Sequence, residues 1–188
     1  MPNNFLFDLL APFYDHIISE KEQDSLREPL DLPAAGWLLD AGGGTGRAST
    51  ALVSMVDRLV ICDLSFTMLQ TAKEKGVADL VQATSNALPF VPEAFSRIMV
   101  IDALHHMDDQ PGSVAELLRT LKPGGRMLIK EPDINVFGVK LIAVMEKLML
   151  MKSYFHSPAE IIEIVAANGV ETQLASDGKA GAWVIAVK

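Results

Sequence analysis

A single cysteine, Cys62, stands among 188 residues. No internal disulfide can staple the fold, so a reducing, cytoplasmic compartment is the natural expectation. Set in the apolar run of residues 59–63, Cys62 reads as a small buried hydrophobe rather than a nucleophile. No cysteine and histidine residues fall at metal-ligand spacing, so no metal is implied. Positive charge is scarce: 16 Lys and Arg against 24 Asp and Glu leave a net charge of −8, with no basic run. Such a field repels phosphate backbones and argues against a nucleic-acid partner. Residues 1–8 lack the basic lead and long apolar core of a signal peptide. The longest apolar region, residues 136–151, is broken by Lys140, Glu146 and Lys147 and is too short to span a bilayer. There is no internal repeat, low-complexity tract or interdomain linker. The chain reads as one domain over residues 1–188, 49% apolar and long enough to bury a core.

Apolar strand-like runs alternate with helical stripes, the pattern of an α/β fold with a mostly parallel sheet and helices on both faces. Strands are expected at residues 37–39, 59–63, 79–83, 97–102 and 127–130, and helices at 46–56, 65–76 and 114–121. Ser65 can cap the second of these helices and Gly76 can end it. Ser157-Pro158-Ala159-Glu160 is a helix start with a capping serine, a proline in the first turn and a glutamate three residues on. The tail reads as a hairpin, residues 170–176 and 182–187, turning at Asp177-Gly178-Lys179.

The most telling stretch is Ala41-Gly42-Gly43-Gly44-Thr45-Gly46-Arg47, which follows an apolar strand and Asp40. Glycines let a strand-to-helix turn bring backbone N–H groups against a ligand with no side chain in the way. A second apolar strand ends in Asp63, and an acid there can bond both hydroxyls of a ribose. The dinucleotide fingerprint needs a small third residue, but Arg47 or Ser49 stands there. A nicotinamide oxidoreductase is therefore the weaker alternative. Asp40 would sit awkwardly beside a pyrophosphate. It suits a ligand with a positive centre and an amino group, which describes S-adenosylmethionine.

Leu38-Leu39-Asp40-Ala41-Gly42-Gly43-Gly44-Thr45-Gly46 resembles motif I of the class I S-adenosylmethionine-dependent methyltransferases. Further segments resemble family landmarks in the same order. They are residues 62–69, Ala87-Leu88-Pro89-Phe90 with Phe95-Ser96-Arg97-Ile98, Ala103-Leu104-His105-His106-Met107, and residues 121–129. The subgroup it resembles is the small-molecule methyltransferases related to ubiquinone and menaquinone biosynthesis enzymes, over roughly residues 5–132. The resemblance implies a Rossmann-like, seven-stranded sheet whose C-terminal hairpin is antiparallel.

It also implies roles. Asp40, Ala41, Gly42, Gly43, Gly44 and Gly46 hold the methionine end of the cofactor, and Asp63 the ribose. Leu64 and Met68 offer apolar surface to adenine, unless they are ordinary helix packing. Thr84 and Ser85 follow strand three, where the family's adenine contacts lie. Many relatives have an aspartate at the position of Thr84, and an uncharged hydroxyl bonds more weakly. Asp102 and Ala103 leave strand four beside the methionine tail, where their carbonyls could receive its ammonium. Residues 1–30 resemble the family's N-terminal helical lid, with Tyr14 over the cofactor; otherwise Phe13 merely docks an amphipathic helix.

His105 and His106 sit where an acceptor would approach, and either could remove its proton as a catalytic base. Alternatively, one caps a loop and the other shapes the pocket. Residues 134–156 form a helix apolar almost all round, which must be covered on more than one side. A substrate cap, the N-terminal helix or the interface of a homodimer would each do so. Met145, Met149 and Met151 suit an irregular apolar ligand, or simply the core. Glu131, after strand five, could orient a polar group on the acceptor. The expected activity is methyl transfer to a small, partly apolar molecule; the alternative is a non-catalytic sensor or partner subunit that binds the same cofactor.

Overall fold

Seven strands form one sheet in the computed structural model, which describes residues 24–76, 78–148, 153–175 and 181–188. They are β1 (Trp37–Ala41), β2 (Arg58–Asp63), β3 (Asp79–Gln82), β4 (Phe95–Ile101), β5 (Leu121–Pro132), β6 (Glu171–Ala175) and β7 (Gly181–Val187). Their order is β3-β2-β1-β4-β5-β7-β6. The first five run parallel, while β7 is antiparallel to both β5 and β6. This is the expected Rossmann-like sheet with its antiparallel C-terminal pair. Among the described residues it is accompanied by the α-helices α1 (Phe66–Lys75), α2 (Gln110–Thr120), α3 (Phe137–Leu148) and α4 (Pro158–Ala166). No helix among the described residues is long and apolar enough to cross a membrane.

Strand side chains alternate between two cores. Leu39, Val60, Ile98, Val100, Met127, Ile129 and Val184 pack with Val114 and Leu117 of α2 and Ile161 and Val165 of α4. Their chain neighbours Leu38, Leu59, Met99, Leu128 and Trp183 pack on the other face with Leu26, Leu30 and Leu52. On α1, Leu69 and Ala72 cover Ile61. The expected caps are present. Ser65 Oγ accepts from the Met68 amide at 3.2 Å, and Gly76 ends α1 in the left-handed region. Ser157 and Glu160 close a capping box on α4.

Three segments depart from expectation. Residues 46–56 do not form an α-helix; only a 3-10 helix, Thr50–Met55, follows the glycine loop. Gly46 is left-handed (φ +72°), and the Thr50 hydroxyl donates to the Gly46 carbonyl at 2.5 Å. Both hold the chain in turns before the helix starts. β5 begins earlier than expected. Leu121 pairs with Phe95, residues 122–125 bulge out, and pairing resumes at Arg97 with Arg126. The long apolar helix is described over Phe137–Leu148 and does not reach residues 153–157, which are irregular. Tyr14, most of the N-terminal lid, and the turn at Asp177-Gly178-Lys179 lie outside the described residues.

Candidate functional site

The chain winds outward from β1 to β2 and β3, then returns to β4 on β1's other side. At such a switch point the loops leaving the two central strands diverge and open a crevice. Here those loops are residues 41–47 and 102–107. They touch, because a Cβ added to Gly42 would lie 2.6 Å from Ala103 Cβ. One added to Gly43 would lie 2.5 Å from the Asp40 carboxyl. Neither position has room for a side chain.

The expectation that these glycines present bare N–H groups to a ligand needs correction. The Gly42 and Gly43 amides both donate to the Cys62 carbonyl, at 2.8 and 3.3 Å. The Gly44 amide donates to Asp63 Oδ2 at 2.8 Å, and the Gly46 amide to the Gly43 carbonyl at 2.8 Å. Three of these donors tie the loop to β2 and the fourth closes the loop on itself, so they form no phosphate cradle. What the loop sets beside the crevice is carboxylate.

Asp63, half-buried at the tip of β2, is fixed through both oxygens: Oδ2 by the Gly44 amide, Oδ1 by the Ser65 amide at 2.8 Å. Asp40 at the tip of β1 is 1% exposed, and its Oδ2 has no hydrogen-bond partner among the described residues. Burial pushes its carboxyl up to about 7. Ser49 and Arg47 pull the other way, and Asp63 adds to the rise. A buried acid kept near neutrality is a receptor for a cation.

Asp102, left-handed at the end of β4 (φ +51°), pairs through its carboxylate with Arg47 Nη2 at 3.1 Å. Burial raises the Asp102 carboxyl, and Lys130 and Arg47 oppose the rise. Arg47 was not singled out from sequence; its signal was a cation placed directly after a glycine loop between acids.

The adenine-side residues divide. Met68 is buried, and its sulfur would lie 3.9 Å from a Cβ on Gly44, as would Asp63 Oδ2. Leu64 is exposed. Thr84 is exposed, whereas the Ser85 hydroxyl shares a 2.7 Å hydrogen bond with Ser113 of α2. Cys62 is buried as expected, its thiol pushed up to about 12 by burial and then by Asp63.

His105 and His106 lie side by side, ring centroids 3.9 Å apart. His105 is buried, stacked on Phe155 at 4.3 Å, with Nδ1 against Glu131 Oε2. His106 Nδ1 and Ser153 Oγ are 3.1 Å apart. Burial, and secondarily His105, press His106 down to about 3, so it is neutral at physiological pH. The backbone of residue 154 closes over the pair: Tyr154 N donates to the His105 carbonyl at 2.8 Å, and Gln110 Nε2 to the Tyr154 carbonyl at 2.9 Å. Glu131 does not face outward to orient an acceptor. It is 3% exposed, and its Oε1 accepts from the Ala103 and Leu104 amides at 2.8 and 2.7 Å. These partners lie 26–28 residues away in sequence, and only the β4–β5 register brings them together.

Residues 39–129 match the model of a methyltransferase domain. Over those residues the chain is similar to methyltransferase domains, and the cofactor this implies is S-adenosylmethionine. A ubiquinone/menaquinone biosynthesis C-methyltransferase of Klebsiella pneumoniae is 32% identical to it over 142 residues, 70% of this chain and 54% of the relative. The chain thus spans about half the length of the curated relatives it matches. An S-adenosylmethionine-dependent methyltransferase from Thermotoga maritima superposes on it with a TM-score of 0.79 at 20% identity, over 98% of this chain and 99% of that one. The YcgJ protein of Bacillus subtilis does so at 0.75 and 24%, over 84% and 71%. At those identities the likeness is one of fold. The methyltransferase domain's own residues fit the cofactor, which carries a cation and a ribose. Asp40 is an orphaned buried acceptor, Asp63 a fixed carboxylate, and the loop between them leaves no space for side chains.

Proposed function

We propose that the protein methylates a small, partly apolar acceptor with S-adenosylmethionine. The observation that carries this reading is Asp40, a buried carboxyl whose Oδ2 lacks a partner among the described residues, one strand over from a ribose-type acid, Asp63. Bound S-adenosylmethionine supplies an electrophilic methyl on a sulfonium that leaves as the neutral thioether. The protein's residues hold, orient and deprotonate. Asp40 receives the ammonium with the carbonyls of Asp102 and Ala103, and residues 41–46 shape the methionine end. Asp63 takes the ribose hydroxyls, Leu64 and Met68 flank adenine, and Thr84 and Ser85 close its polar edge beneath Tyr14. His105 takes a proton from the acceptor, while His106, neutral and turned to Ser153, lines the site. Alignment with water excluded supplies much of the rate. The relatives' stated C-methylation in quinone biosynthesis supports an acceptor with an apolar ring.

Turnover of S-adenosylmethionine across quinols, catechols, amines and thiols tests the assignment. A methylated product is expected; binding with no product on any of them would leave a non-catalytic cofactor-binding protein. Asp63→Ala should weaken S-adenosylmethionine binding by about 1.5–3 kcal/mol through loss of charged hydrogen bonds. Calorimetry reads this, and unchanged affinity would remove Asp63 from the ribose role. On α3, Phe137, Leu141 and Val144 are exposed at helical spacing while Val139 is buried. That outer stripe is where a homodimer would form, and light scattering should return twice the monomer mass; a monomer would refute it. The lone buried cysteine suits the cytosol.

A further inference from the structure

We propose that the Asp102 carboxylate is a positioning residue that acts through Arg47: by pairing with the guanidinium it keeps this internal cation off Asp40 and leaves Asp40 for the ligand's ammonium. This rests on the cofactor reading above. Acids stand at the exits of three neighbouring strands, Asp63 on β2, Asp40 on β1 and Asp102 just past β4. The glycine loop that leaves β1 among them ends in Arg47. That loop curls back: the Gly46 amide donates to the Gly43 carbonyl at 2.8 Å, and a Cβ on Gly43 would lie 2.5 Å from the Asp40 carboxyl. Arg47 thus follows directly on a turn that lies against Asp40, and its charge lowers the carboxyls of both Asp40 and Asp102. Asp40 is the more buried acid, with an oxygen that no donor meets among the described residues. Yet the guanidinium bonds Asp102, Nη2 to Oδ2 at 3.1 Å. Both partners are sheltered, 15% and 29% exposed, so solvent does little to weaken the pair. The Asp102 backbone is fixed for this role. Its amide donates to the Lys130 carbonyl at 2.8 Å, and its φ of +51° is uncommon outside glycine. Such a conformation persists where surrounding bonds impose it, and it clusters at ligand sites. A guanidinium stays charged at every physiological pH. Released from Asp102, it would compete with the ammonium for Asp40.

Asp102→Asn tests this with the backbone intact, because asparagine tolerates the left-handed region and the carbonyl of residue 102 is kept. Calorimetry at about pH 8 should show the variant binding S-adenosylmethionine about tenfold or more weakly than the wild type. Affinity for 5′-methylthioadenosine, which lacks the ammonium, should change by no more than about twofold. Arg47→Met removes the competing cation. The double variant Asp102→Asn/Arg47→Met should therefore regain S-adenosylmethionine affinity to within about threefold of the wild type. A carboxylate that merely braces the two loops gives the opposite result, a double variant as weak as Asp102→Asn or weaker. The carboxyl carbon resonance of Asp40, assigned with Asp40→Asn, supplies a readout that needs no ligand. It should titrate near 7 in the wild type, well below that in Asp102→Asn, and near 7 again in the double variant. Undiminished S-adenosylmethionine affinity in Asp102→Asn would overturn the proposal. So would a double variant no tighter than the single one, or equal loss of both ligands. A wild type that binds S-adenosylmethionine no more tightly than 5′-methylthioadenosine would remove the ammonium role of Asp40, and the proposal with it.

Discussion

Asp40→Asn is expected to stabilise the ligand-free protein above neutral pH and at the same time abolish tight S-adenosylmethionine binding. The folded chain holds the Asp40 proton up to about pH 7, whereas the carboxyl's ordinary value is 3.8. Between those values the folded chain keeps a proton that the unfolded chain has lost. Stability therefore falls as pH rises through that window and is level above it, a loss on the order of 4 kcal/mol. An asparagine is neutral throughout, so its melting temperature should exceed the wild type's at pH 8 and match it near pH 4. Binding runs the opposite way. The ionised carboxylate pairs with the ligand's ammonium, so wild-type affinity should strengthen as pH rises toward 7 and protons should be released on binding. Affinity for 5′-methylthioadenosine, which has no amino-acid tail, should be the same in wild type and variant. Equal loss of both ligands would show that Asp40 supports the loop and not the ammonium.

Gly42→Val should be the most damaging single change in the crevice. Gly42 is left-handed (φ +71°), a conformation that makes a β-branched residue an outlier, and its added Cβ would sit 2.6 Å from Ala103 Cβ. Backbone strain of about 1–3 kcal/mol adds to about 1–3 kcal/mol of overpacking, against a typical total stability of about 5–15 kcal/mol. Gly76→Val is the control. It shares the left-handed backbone (φ +67°) but meets no heavy atom within 4 Å. Denaturant melts should show a markedly larger loss at position 42, with S-adenosylmethionine binding lost only there. Equal losses would mean that the contact between the two crevice loops is slack.

The parts of this fold that follow local rules were readable in the chain. Apolar runs ending in Asp40 and Asp63, the cap at Ser65, the capping box at Ser157 and the hairpin strands all depend on neighbours a few residues apart. The sheet order was implied by the family resemblance and not by any pattern of residues. What stayed hidden depends on partners far along the chain. That the loop amides turn inward to Cys62 and Asp63 requires knowing that β1 and β2 are paired in register. The pairs Arg47–Asp102 and Glu131–His105 arise from neighbouring parallel strands whose exits converge. The delayed helix after Gly46 follows the left-handed backbone at that glycine, which helical spacing alone does not reveal.

A crystal structure with S-adenosylhomocysteine would be the sharpest trial of the claim that two strand-tip carboxylates grip an amino-acid nucleoside. The nucleoside should lie against Gly42, Gly43 and Gly44, with its ribose hydroxyls on Asp63 and its ammonium turned toward Asp40. Density at any other place on the surface, or a vacant crevice at saturating ligand, would contradict it.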